Sequence, residues 1–187
     1  MRITSALAAL LTVITLTASS KASITLSFYD ANYLGHIYDA QPASPTDEVS
    51  YIKDLITLGA GDGVTDVNGA DYDRLNSTLA GPFDMPSTTD DFRGADSVYQ
   101  ITLTESYQYI YGKYDGPNYG AEVWYFPNGI TGMVTLPQYP KDYPNQYALS
   151  HASAYNQVAP VPEAGSFIVW GTLAITGLSL CRRKLFG

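Results

Sequence analysis

The chain has 187 residues, 18 Asp plus Glu against 10 Lys plus Arg, a formal charge of −8 and 13% aromatic residues. An acidic balance of this kind repels nucleic acid and anionic lipid, and favours metal cations or simple solubility. The single cysteine, Cys181, lies six residues from the C-terminus, so the body of the chain has no disulfide framework.

Residues 3–18 carry no charge, follow Arg2 and lead into Ser20, Lys21 and Ala22, with small residues where signal peptidase reads. This is the pattern of a secretory signal peptide, and cleavage is expected after Ala22. Residues 23–160 then form one domain by length. It holds all 16 tyrosines and 17 Asp plus Glu against 5 Lys plus Arg, a balance of −12.

Residues 24–28 alternate as a strand does, and the Tyr-rich stretch 29–38 behind them reads as a loop. After Pro42 and Pro45, Thr46 is placed to cap a helix over residues 47–58. Asp47 and Glu48 then sit in its first turn, and Val49, Ile52, Leu55 and Ile56 form an apolar stripe that stops before Gly59. Residues 59–73 are rich in Gly and Asp and read as a loop. Aligning Gly69 with the EF-hand glycine puts Val64 and Leu75 where carboxylates are required, so that motif fails. A weaker calcium site built from Asp62, Asp66, Asn68, Asp71 and Asp73 is the cofactor candidate.

From Ser97 onward the pattern is strand after strand: 98–103, a continuation with Tyr107, Tyr109 and Tyr111 at period two, then 122–126. Asn128-Gly129 between apolar runs predicts a hairpin, with 130–136 as its return strand, and 146–156 is the last strand. The fold expected is mainly β, an antiparallel β-sandwich or rolled sheet with one short helix. It is flanked by the signal peptide and a C-terminal transmembrane helix.

His36 and His151 are the only histidines. Ser150 and His151 are adjacent on a strand and point to opposite faces, wrong for a nucleophile and its base; no Gly-x-Ser-x-Gly elbow is present. A buried histidine bonded to backbone is the expectation at 151, and no pair of carboxylates stands out for glycoside hydrolysis. Tyr107, Tyr109, Tyr111 and Trp124 are candidates for a ligand-stacking surface, with the competing reading that they fill the core.

The tail has three parts: Val161, Pro162, Glu163 and Ala164; an uncharged apolar run over 166–181; and Arg182, Arg183 and Lys184. Residues 165–181 as a helix span roughly 25 Å, slightly short of a hydrocarbon layer of about 30 Å. The basic cluster on the far side leaves the C-terminus in the cytoplasm and the bulk outside. The arrangement resembles the PEP-CTERM sorting signal, with Ala164 where that family usually has its second proline. The resemblance covers about the last 27 residues and implies destination: export by signal peptidase, recognition by an exosortase-like protease, and a place at the surface of a Gram-negative-type bacterium.

The expected function is a surface-sorted, non-enzymatic protein of the cell envelope or an extracellular polysaccharide matrix. The alternatives are a calcium-dependent carbohydrate-binding module and a small hydrolase.

Overall fold

The structure, a computed structural model, describes residues 23–158 apart from 62, 76–78, 80, 90, 95–98, 115–118, 142 and 144. The signal peptide, the sorting motif at Val161 to Ala164, the apolar run, the basic cluster Arg182 to Lys184, and Asp62 lie outside the described residues. Among those described, no helix is long and apolar enough to cross a membrane.

Among the described residues, eight strands and one helix follow in the order β1 (Ser23–Thr25), β2 (Tyr33–Tyr38), α1 (Pro45–Thr57), β3 (Val64–Val67), β4 (Ala70–Asp73), β5 (Phe92–Gly94), β6 (Gln100–Tyr114), β7 (Gly120–Thr135) and β8 (Leu149–Val158). They form one sheet in the spatial order β3-β4-β2-β7-β6-β8-β5, with β1 beside the far end of β7. Every pairing is antiparallel except β1 with β7. The expectation of a mainly antiparallel β protein with one helix holds.

Side chains alternate between two cores, one on each face of the sheet, because successive residues of a strand point to opposite sides. Tyr109, Tyr111 and Val123 pack under α1 with Leu34, Ile37 and Tyr72. Ile110 and Trp124 face the other way and pack with Leu26, Tyr33, Leu103 and Val134. The helix closes the first core with Val49, Ile52, Leu55 and Ile56. Ile52 and Leu55 are fully buried, and each contributes roughly 1.5–3 kcal/mol.

The helix begins earlier than the sequence suggested. Ser44, not Thr46, is the N-cap: its Oγ accepts from Asp47 N at 3.3 Å, while the Asp47 carboxylate accepts from Ser44 N at 3.1 Å. This reciprocal arrangement satisfies two otherwise orphaned N–H groups. Pro45 fits the first helical position because its missing N–H would have no partner there.

Three further expectations are corrected. Residues 33–38, read as loop, are β2, a strand buried between β4 and β7. Residues 64–73, also read as loop, are the hairpin β3–β4, which turns at Asn68-Gly69 with φ of 55° and 84°. Positive φ at both central residues is what a two-residue hairpin turn requires.

Asn128-Gly129, by contrast, does not reverse the chain. Only Gly129 has a positive φ, 75°, and β7 continues through it along β6. Partners shift from Tyr109↔Tyr125 to Tyr107↔Ile130, so Phe126 to Gly129 form a bulge. That bulge also separates the tyrosines predicted to share a face: Tyr107 belongs to the core around Trp124, whereas Tyr109 and Tyr111 lie under the helix.

Candidate functional site

Among the described residues two glutamates are fully buried, one on each face of the sheet. Buried carboxylates stay ionised only when several donors replace the water they have lost, so each defines a polar cluster.

Glu48 sits in the first turn of α1, where the helix dipole favours an anion. Its Oε1 accepts from Arg93 Nη2 on β5 and lies 2.8 Å from His151 Nε2 on β8; its Oε2 accepts from the Tyr155 hydroxyl. Period-two alternation puts His151, Ser153 and Tyr155 of β8 on the helix side of the sheet. Arg93 also donates to Ala43 O at 2.7 Å, just ahead of the helix cap. Burial acts to raise the Glu48 carboxyl, but the hydrogen bonds from His151 and Tyr155 outweigh it and hold the group below its ordinary value. Burial and the bond to Glu48 push Tyr155 up, and burial with the Glu48 charge pushes Tyr111 well up. The Tyr111 hydroxyl is buried without a hydrogen-bond partner.

Glu122, on β7, faces the opposite side, because its neighbour Val123 belongs to the helix-side core. It accepts from the Tyr33 hydroxyl and, at 3.0 Å, from the Tyr119 hydroxyl. His36 Nδ1 lies 3.2 Å away but outside hydrogen-bonding alignment, and neither ring nitrogen has a hydrogen-bond partner among the described residues. The ring is instead packed against Tyr38 and Tyr119, with centroids at 4.2 and 4.4 Å. Burial, then the Glu122 charge, pushes the Tyr33 hydroxyl well up.

Both carboxylates thus accept from side chains distant in sequence, Glu122 also from nearby Tyr119. Cavities of about 540 and 510 Å³ lie at the two ends of α1, and neither has Glu48 or Glu122 in its lining. The chemistry available at Glu48 is that of a three-way clamp joining α1, β5 and β8.

The residues singled out from sequence fall elsewhere. Tyr107, Tyr109, Tyr111 and Trp124 are all buried, which corrects the stacking-surface reading: α1 covers one face of the strands, and the segment around Leu26 and Phe28 covers the other. Trp124 Nε1 donates to Ser27 O at 3.0 Å.

Asp66 and Asp71 are exposed and opposite one another across the β3–β4 hairpin. Asn68 donates to the Asp54 carboxylate of α1, and Asp73 pairs with His36 in the sheet. Among the described residues no group of three or more His, Cys, Asp or Glu is placed to hold a metal ion. Ser150 and His151 lie on opposite faces as expected, but the partner of His151 is a carboxylate, not backbone.

Sequence reasoning missed the role of Glu48, although its place on the apolar stripe at one residue before Val49 was a usable signal. Comparison with known protein families, curated proteins and solved structures gives no match.

Proposed function

We propose that this is an exported, surface-sorted protein whose β domain has a structural or binding role at the cell envelope rather than a catalytic one. The observation that carries the proposal is the order of the ends: an apolar leader finishing at Ala22, and Val161-Pro162-Glu163-Ala164 followed by an apolar run and three cations. A non-enzymatic role is supported by the engagement of both buried carboxylates in clamps between elements. The long β6–β7 pair, bent at its bulge, supports the rolled-sheet description over two stacked sheets.

The test is expression of the full chain in a Gram-negative host carrying an exosortase, with intact mass measured on each cell fraction. The expected product begins at Ser23 and lacks the tail, while replacing Pro162 and Glu163 together by Ala leaves tailed protein in the membrane. Protein recovered whole from the cytosol, with Met1 retained, overturns the proposal.

A further inference from the structure

Arg74, like Lys113, is a buried cation outside the two carboxylate clusters. It follows β4, is 2% exposed, and has no carboxylate partner among the described residues. Its Nη2 donates to Leu79 O, its Nη1 lies 3.5 Å from Leu58 O at the C-cap of α1, and its guanidinium stands 4.9 Å from the Phe83 ring centroid. Its Nε, also buried, has no hydrogen-bond partner among the described residues.

Arginine is almost never this deeply buried without a paired anion, because desolvation of the charge is costly and carbonyl dipoles recover only part of it. The two carbonyls account for a local role, tying residue 79 to the end of the helix. Among the described residues they leave the charge without a counterion. Burial accordingly pulls the Arg74 pKa below its ordinary value.

Arg74 lines the cavity of about 540 Å³ at the C-terminal end of α1, a volume within the range of small-molecule sites. The other walls include Ile56, Leu58, Leu79 and Phe83, with Met85, 61% exposed, at the rim. A counterion here meets one cation and an otherwise largely apolar surface. We propose that this cavity binds a small amphipathic anion, an apolar body bearing one carboxylate, which pairs with Arg74 while the body packs on Phe83 and Leu79.

The planar guanidinium fork matches a carboxylate, and the aromatic wall suits a flat apolar body. The surplus of acidic residues across residues 23–160 disfavours multiply charged anions, which the field of the domain repels. This inference is independent of where the protein is sorted.

The test is isothermal calorimetry on the full chain with three probes: benzoate, benzyl alcohol and acetate. Benzoate is expected to bind with a submillimolar Kd and about tenfold or more tighter than either probe lacking the charge or the ring. Arg74→Gln should weaken benzoate by a similar factor. Met85→Trp, at the exposed rim, narrows the cavity and should weaken it too without touching the core. Benzoate heats absent at millimolar concentration, or no stronger than those of benzyl alcohol, overturn the proposal. Unchanged affinity in Arg74→Gln does the same; if that variant does not fold, unchanged affinity in Met85→Trp decides against it.

Discussion

Replacing Glu48 by Gln keeps the side-chain shape in the clamp but removes the charge that Arg93, His151 and Tyr155 converge on. A hydrogen bond to a charged group contributes about 1.5–3 kcal/mol against about 1 for a neutral one. Gln can still accept from some of these donors. Arg93, whose side chain is 38% exposed, can turn towards water, so its share is discounted to that of a surface pair. The net loss is about 2–3 kcal/mol. For a domain of this size that lowers Tm by roughly 6–10 °C at pH 7, read by circular dichroism.

The pH dependence carries a second signature. Because the folded carboxyl titrates below its ordinary value of 4.5, Glu48 stabilises the fold above that pH, and the contribution is lost as pH falls through and below it. Between pH 5 and pH 3 the wild type should therefore lose more Tm than Glu48→Gln does. A variant melting within about 2 °C of wild type at pH 7, with a parallel acid profile, refutes the clamp.

Gly120→Ala should cost about 2–4 kcal/mol in chemical denaturation, because φ there is +145° and a Cβ would stand 1.9 Å from Ile37 O on the neighbouring strand. An unchanged midpoint would show that β2 and β7 are not held this close. Ile52→Ala, deleting a fully buried side chain under the sheet, should cost about 2–5 kcal/mol by the same assay; a loss under about 1 kcal/mol contradicts the placement of α1. Tyr33, Tyr111 and Tyr114 have hydroxyls pushed well above the ordinary 10.0, chiefly by burial, so the fold is favoured below that pH and destabilised as pH rises above it. Absorbance at 295 nm should show their ionisation as a cooperative step coincident with loss of far-ultraviolet ellipticity, and smooth titration of a persistently folded protein would count against it.

The extent of legible structure differed by element for identifiable reasons. The apolar stripe from Val49 to Ile56 has the helical period, and α1 is where it predicts; the cap was misplaced because both Ser44 and Thr46 are capable residues and only the Asp47 side chain selects between them. Residues 33–38 lacked alternation because the strand is buried on both faces, and such strands carry no amphipathic signature. The two Asn-Gly pairs look alike in sequence yet act differently. At Asn68-Gly69 the flanking strands pair with each other, whereas at Asn128-Gly129 both flanks pair with β6, a choice made by long-range partners.

What the amino-acid order determined alone is chemistry that acts locally or against a uniform medium. Hydropathy and charge order at the two ends set the expectation of export, β-branched and aromatic runs set the strand class, and one 3.6-residue period set the helix. Tertiary structure decided which side each strand residue faces, because the alternation of β6 reverses between Tyr107 and Tyr109, where its register with β7 shifts. It also brought together residues 48, 93, 151 and 155, and left Arg74 beside a cavity without a carboxylate. These last are matters of proximity between residues as far as 107 apart in the chain, and nothing in the spacing of a sequence encodes which buried charge will meet its partner.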